Sequence, residues 1–261
     1  MAVVAPNGTL SAVGPAVAYE LGTGAQPAWS PDGLRLAFVR GGDVWTIDAM
    51  GGNATRLTAD GVNSLPVWSP DGTRLAWLKD STLVAGGADG VGLTTLADGL
   101  SAAPAWSPDG TKLAFERRAG ADAALMVVPA AGGSFTRLGF GASTVAPAWL
   151  GSTIAYVDDH HLLLWPGHRA PAPKVTVSSA PSRSHSSIAF SGPGGIFVVT
   201  GTKVRTLGKG AEPRFSHDGA RIAFTRAGAL WQMNADGTCW RKVGAYAQPA
   251  WAPVAVGRLR C

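Results

Sequence analysis

The heptapeptide PAWSPDG at Pro27–Gly33 returns as PVWSPDG at Pro66–Gly72, as PAWSPDG at Pro104–Gly110 and as PRFSHDG at Pro213–Gly219. Each copy is followed by a strand-like triplet: LAF, LAW, LAF or IAF. Repetition of this kind narrows the fold more than composition can. A unit this small cannot bury an apolar face alone, so it must stack on copies of itself. The unit from Pro27 to Thr58 reads as four pieces, PAWS, LRLAFV, VWTID and ATRLT, here called A to D. Each is about as long as an ordinary strand, roughly five residues. Turns separate them. In Ser-Pro-Asp-Gly, Pro31 presets φ, Asp32 can accept from backbone amides of the turn, and Gly33 tolerates positive φ. Arg40–Asp43 and Met50–Asn53 form the second and third turns.

The pattern can be followed along the whole chain. The Pro that opens piece A stands at Pro27, Pro66, Pro104, Pro147, Pro181, Pro213 and Pro249. Two places on comes Trp29, Trp68, Trp106, Trp149, Phe215 or Trp251, a large residue suited to the packing between units. The Pro181 unit departs, with Arg183 there. The last unit stops after piece A. Ala2–Pro6, Thr9–Val13 and Ala16–Gly22, at the other end, have the spacing of its missing B, C and D. The expectation is an all-β propeller of seven four-stranded blades, closed by N-terminal strands pairing with the C-terminal strand. Closure removes both free ends of the array. Six blades is the alternative, if the Pro181 unit or the N-terminal strands form no blade. Residues 1–261 then read as a single propeller domain, with the closing blade drawn from 1–23 and 248–253.

Composition agrees with strands and tight turns. There are 35 Gly and 18 Pro, few long polar helix formers, and only 15% charged residues. No amphipathic helical period exceeds two turns. The formal charge is +5 and the pI about 9.6. The basic residues are spread singly rather than in runs, which argues against nucleic acid. No apolar run is long enough to span a bilayer. The start, MAVVAPNGTL, has neither a basic n-region nor an uninterrupted apolar core. A signal peptide, if the protein is exported, is therefore expected outside this sequence.

PAWSPDGLRLAF (Pro27–Phe38), then Gly42-Asp43-Val44-Trp45, a Gly-rich turn and TRLT (Thr55–Thr58), resembles the repeat of TolB-like β-propellers, also called PD40 or WD40-like. The resemblance covers essentially the whole chain, although the units at Pro147 and Pro181 lack the Asp-Gly of the turn. It is not a true WD40 pattern, since no GH…WD pairing occurs. TolB itself has six blades and an N-terminal α/β domain, for which this sequence holds no counterpart. The resemblance implies the repeat fold and an extracytoplasmic (periplasmic or secreted) binding module.

In a propeller the A–B and C–D turns lie on one face, and the B–C turns and D–A connections on the other. Asp32, Asp71, Asp109 and Asp218 of the SPDG-type turns therefore ring one face. Each has a local turn-stabilising job, and the ring spaces them too far apart for a shared metal. The B–C turns of the other face hold Arg40, Lys79, Arg117, Arg118 and Arg226, and the corresponding turn after Pro147 holds Asp158, Asp159, His160 and His161. A basic rim with one acidic and imidazole sector suits an anionic or carboxylate-bearing partner. Arg40, Lys79, Arg117, Arg118, Asp159, His160, His161 and Arg226 are the expected binding residues. Neighbours on a strand point to opposite sides, so the four residues from Asp158 do not converge on a metal unless the turn bends them.

No GxSxG, HExxH, Walker A or dinucleotide fingerprint is present, and no catalytic residue is expected. Cys239 and Cys261 leave two options open. A bridge would tie the C-terminal tail beside the ring closure and point to export; two free thiols would suit the cytosol. The expected function is a non-catalytic scaffold for a protein or peptide, monomeric, without cofactor and not inserted in a membrane. One rival is a binder of carbohydrate or cell-wall polymers, which needs ligand-facing aromatics on the loops. The other is a lyase-like propeller enzyme with a metal in the central channel, which needs several inward-facing His or acidic residues.

Overall fold

A computed structural model describes residues 1–13, 18–119, 122–140, 146–158, 161–166, 168–169, 177–179, 181–184, 187–200, 203–253 and 256–261. These residues form seven four-stranded antiparallel sheets and no helix. Strands β1 (Ala2–Val4), β2 (Thr9–Val13) and β3 (Ala18–Thr23) open the chain. Blade 1 holds β4 (Ala25–Trp29), β5 (Arg35–Arg40), β6 (Asp43–Asp48) and β7 (Thr55–Arg56). Blade 2 holds β8 (Asn63–Trp68), β9 (Arg74–Lys79), β10 (Thr82–Gly87) and β11 (Thr94–Ala97). Blade 3 holds β12 (Ala105–Trp106), β13 (Lys112–Ala119), β14 (Asp122–Pro129) and β15 (Thr136–Phe140). Blade 4 holds β16 (Ala148–Leu150), β17 (Thr153–Asp158), β18 (His161–Trp165) and β19 (His168–Arg169). Blade 5 holds β20 (Ser182–Ser184), β21 (Ser187–Gly192), β22 (Gly195–Thr200) and β23 (Lys203–Gly208). Blade 6 holds β24 (Ala211–Phe215), β25 (Arg221–Arg226), β26 (Ala229–Asn234) and β27 (Arg241–Gly244). The final strand, β28 (Ala247–Ala250), pairs with β1, so blade 7 has the order β28-β1-β2-β3. Seven blades exclude the six-blade alternative. The units at Pro147 and Pro181 build blades 4 and 5 without an Asp-Gly turn.

The apolar core is not one body. Seven clusters of buried residues each span two neighbouring blades, so every blade is a layer packed on both sides. This explains the unbroken LAF-type triplets. A strand covered on both faces reads as a continuous apolar run, not as an alternation. Phe38, Phe115, Phe190 and Phe224 are all fully buried, as are Ala37, Ala114, Ala189 and Ala223 beside them. Burying each Phe contributes roughly 1.5–3 kcal/mol.

Three devices repeat between the blades. The first is the indole of piece A. Trp68 Nε1 donates to the Ala28 carbonyl at 3.0 Å, Trp106 to Val67 at 3.2 Å, Trp149 to Ala105 at 2.9 Å and Trp251 to Arg214 at 2.8 Å, each on the preceding blade. The second is an Arg that follows the turn. The guanidinium of Arg35 lies 4.7 Å from the Trp68 ring and donates to the Gly72 carbonyl, and that of Arg74 lies 4.8 Å from Trp106 and donates to Gly110. The third is the turn serine. Ser30, Ser69, Ser107 and Ser216 are buried, and each hydroxyl both donates to the turn Asp and accepts the amide five residues on. The turn glycines Gly33, Gly72, Gly110 and Gly219 all have φ between 67° and 73°, the left-handed region a side chain disfavours.

Candidate functional site

The B–C turns gather at one face, and their cations are anchored there by rings of their own blades and by groups of the preceding one. Arg40 donates from Nε to the Thr23 carbonyl at 2.8 Å, with its guanidinium 4.9 Å from the Phe38 ring and 5.1 Å from Trp45. In blade 6 the equivalent Arg226 lies 5.7 Å from Trp231 and 5.1 Å from Trp240. Lys79 pairs with Asp60 at 2.7 Å, and Arg117 with Asp98 at 2.6 Å while lying over Phe135. The Lys79 ammonium holds the Asp60 carboxyl below the ordinary carboxylate range, Arg117 does the same to Asp98, and Lys79 is raised in return. Lys79 and Arg117 are thus ion-paired, whereas Arg40 and Arg226 lie over aromatic rings with no ion pair among the described residues. Arg118 is exposed. His161 is half-buried and pairs in strand register with Asp158. Asp159 and His160 lie outside the described residues. Among the described residues, no three His, Cys, Asp or Glu side chains converge as a metal site requires.

The same face holds a feature that these turns do not reveal. In β4, β8, β24 and β28 the residue before the piece-A proline has left-handed φ: Gln26 at 53°, Leu65 at 55°, Glu212 at 51° and Gln248 at 50°. Each lies within or beside an irregularity in the pairing of the inner strand with its neighbour. A bulge of this kind re-aims a side chain and leaves its amide unpaired in the ladder. Three of these amides are satisfied across blades, that of Glu212 by Ser191 Oγ of blade 5 at 3.4 Å. Gln26 N donates to Gln248 Oε1 at 2.8 Å, and Leu65 N donates to Gln26 Oε1 at 2.7 Å. Burial lowers the Arg214 guanidinium, and the exposed carboxylate of Glu212 offsets this only in part. The four positions fall on blades 6, 7, 1 and 2, which are consecutive around the ring. Gln26, Glu212 and Gln248 therefore stand at equivalent places near the start of the inner strands of consecutive blades, with Arg214 two residues further along β24.

Comparison with known proteins bears on the fold. The family profile described as the dipeptidyl peptidase IV (DPP IV) N-terminal region matches residues 17–84. No curated protein sequence matches the chain. Among solved structures, TolB from Acinetobacter baumannii aligns with a TM-score of 0.62 at 17% identity, over 87% of this chain and 65% of that one. Acylaminoacyl peptidase aligns at 0.68 and 14% identity, over 91% of this chain and 48% of that one. Oligogalacturonate lyase from Vibrio parahaemolyticus aligns at 0.65 and 12% identity, over 94% and 84%. The chain has the TolB-like propeller fold. It spans just under two thirds of that TolB and about half of the peptidase. A TolB, a peptidase and a lyase all carry this ring, so the fold does not choose between binding and catalysis.

The choice rests on the residues that break the repeat. Sequence reasoning expected the B–C cations in the turns; Arg40, Lys79 and Arg226 instead end their strands, Arg117 and Arg118 lie within β13, and four of the five are held by aromatic rings or carboxylates. It passed over the residue before each piece-A proline. Gln26-Pro27, Glu212-Pro213 and Gln248-Pro249 carried the signal, a long polar residue at a site where other units have Ala103 or Ala146.

Proposed function

We propose that this chain is a non-catalytic binding module that takes a protein or peptide segment on the face bearing the B–C turns. The observation that carries the reading is the placing of Gln26, Glu212, Arg214 and Gln248. Backbone bulges hold these groups in place before any partner arrives, which reduces the ordering cost of binding. Amides, a carboxylate and a guanidinium complement a peptide backbone and its charged ends. Arg40, Arg118 and Arg226 add positive charge around it. The module acts as a monomer without cofactor. An extracytoplasmic location is supported by the disulfide between Cys239 and Cys261, whose Cα atoms lie 5.0 Å apart.

The test is affinity capture from a cell-envelope extract, followed by identification of the partner and measurement with the purified pair. The bait variant combines Arg118→Glu with Arg226→Glu, both exposed positions. The wild type should bind, and the variant should bind at least about tenfold more weakly at unchanged melting temperature. Equal affinity would remove this face from consideration. Capture of an oligosaccharide instead of a protein would favour the carbohydrate reading, and turnover of a captured substrate the enzymatic one.

A further inference from the structure

The cluster between blades 6 and 7 is the thinnest of the seven. Among the described residues, Val3, Ala223 and Leu230 are fully buried there, with Val13, Val243 and Trp251 partly buried beside them. A cavity of about 920 Å³ opens at this seam. It is lined by the start of β25 and β27 and the end of β2, which places it on the SPDG face, opposite the B–C turns. One wall is the C-terminal tail. Asp218 Oδ2 accepts the Val256 and Gly257 amides at 2.8 Å each, Asn234 Oδ1 accepts the Leu259 amide at 2.6 Å, and Cys239–Cys261 ties the end. Arg221 donates to the Val256 and Gly257 carbonyls at 2.7 Å each. The wall is therefore fixed to blade 6 from several sides.

The charge of the lining is one-sided. Arg221, Arg241, Lys242, Arg258 and Arg260 line the cavity, and no acidic side chain does. Arg258 is paired with Asp236. Asp218 favours the charge of Arg221 but is itself engaged by the tail amides. Arg241, Lys242 and Arg260 are exposed and have no ion pair among the described residues. Burial lowers the Arg221 guanidinium first, and the positive charge of Arg241 lowers it further. The fold thus holds like charges close together around an apolar floor of Val13, Val243 and Trp251.

We infer that this cleft binds an acidic peptide segment, with carboxylates on Arg241 and Arg260 and an apolar side chain against Trp251. The volume lies within the range of ordinary ligand pockets, roughly 300–1,000 Å³. An inorganic polyanion would satisfy the charges but leave the apolar floor in water, so a ligand with both characters fits better. The site is separate from the B–C face, and its failure or success leaves that reading unchanged.

The experiment is fluorescence anisotropy with a labelled octapeptide of six aspartates around two leucines, titrated with the oxidised full chain. It should bind, and rising salt should weaken it. The variant Arg241→Glu with Arg260→Glu should bind at least about tenfold more weakly. Both side chains are exposed, so its melting temperature should match the wild type. A peptide with asparagine in place of aspartate should also bind at least about tenfold more weakly. Three results would overturn the inference: equal binding of the asparagine peptide, equal binding by the double variant, or tighter binding of tripolyphosphate than of the acidic peptide.

Discussion

Trp29 and Trp68 occupy the same place in adjacent blades, yet they are not equivalent. Trp68 Nε1 donates to Ala28, whereas Trp29 Nε1 is buried without a partner. Trp29 faces blade 7, the blade assembled from both ends of the chain. Phe at either position loses the same volume, so the difference between the variants reports the hydrogen bond together with the Arg35 contact on the Trp68 ring. Trp68→Phe is expected to cost at least about 1 kcal/mol more than Trp29→Phe, because the first orphans a carbonyl and the second removes an unpaired donor. Urea unfolding with an unchanged slope measures it. Trp45 and Trp231 share the condition of Trp29, with buried Nε1 atoms lacking a partner and an Arg over each ring. The repeat therefore copies its compromises as well as its contacts.

The SPDG-type turn is the element whose chemistry is most uniform, and it makes stability depend on pH. The Ser107 hydroxyl and then the Thr111 amide hold the Asp109 carboxyl at about 2. Burial acts to raise that of Asp218, but the Ser216 hydroxyl and the amides of Ala220, Gly257 and Val256 outweigh it and leave it at about 2. Protons therefore bind the unfolded chain first, near the ordinary 3.8. Stability from these turns is complete above that value and is lost as pH falls through about 2. The melting temperature should stay level from neutral pH to about 5 and fall below about 4, and Asp109→Asn should remove part of that fall. A decline between pH 7 and 5 would contradict this account. Asp32 and Asp71 are lowered by the same two kinds of bond, first the serine hydroxyl and then a turn amide.

The ring as a whole is only as strong as its closing seam. Blade 7 holds together through the pairing of β28 with β1, Ala2 opposite Ala250 and Val4 opposite Ala247. Its interface with blade 6 buries little, so the tail and its disulfide carry an unusual share. The bridged cysteines are 22 apart in sequence, and closing a loop of that size stabilises by roughly 3 kcal/mol in the chain-entropy model. Cys261→Ser should lower the melting temperature by several degrees. Amide exchange should quicken first in β1 to β3 and β28, and last in β9 and β13, whose cluster is the largest. Uniform exchange around the ring would show that the seam is no weaker than the other interfaces.

Much of this could be read from one dimension. The turn motif, the LAF-type triplets and the split closing unit are local patterns repeated, and a repeat array is stabilised by neighbours in a way its own sequence records. Blade number needed the structure, because the Pro147 and Pro181 units keep strand spacing while losing the turn residues that announce it. The site needed it more. Arg40 and Arg226 are basic turn residues in the sequence; that each lies over the aromatic ring of an adjacent strand depends on strand register. Gln26 and Gln248 are 222 residues apart, and only ring closure brings an amide of one to the side chain of the other. The basic cleft joins residues of β2, β25, β27 and the tail, none of which is distinctive alone. The chain's local chemistry determined what each blade is, and contacts between distant segments decided what the ring presents.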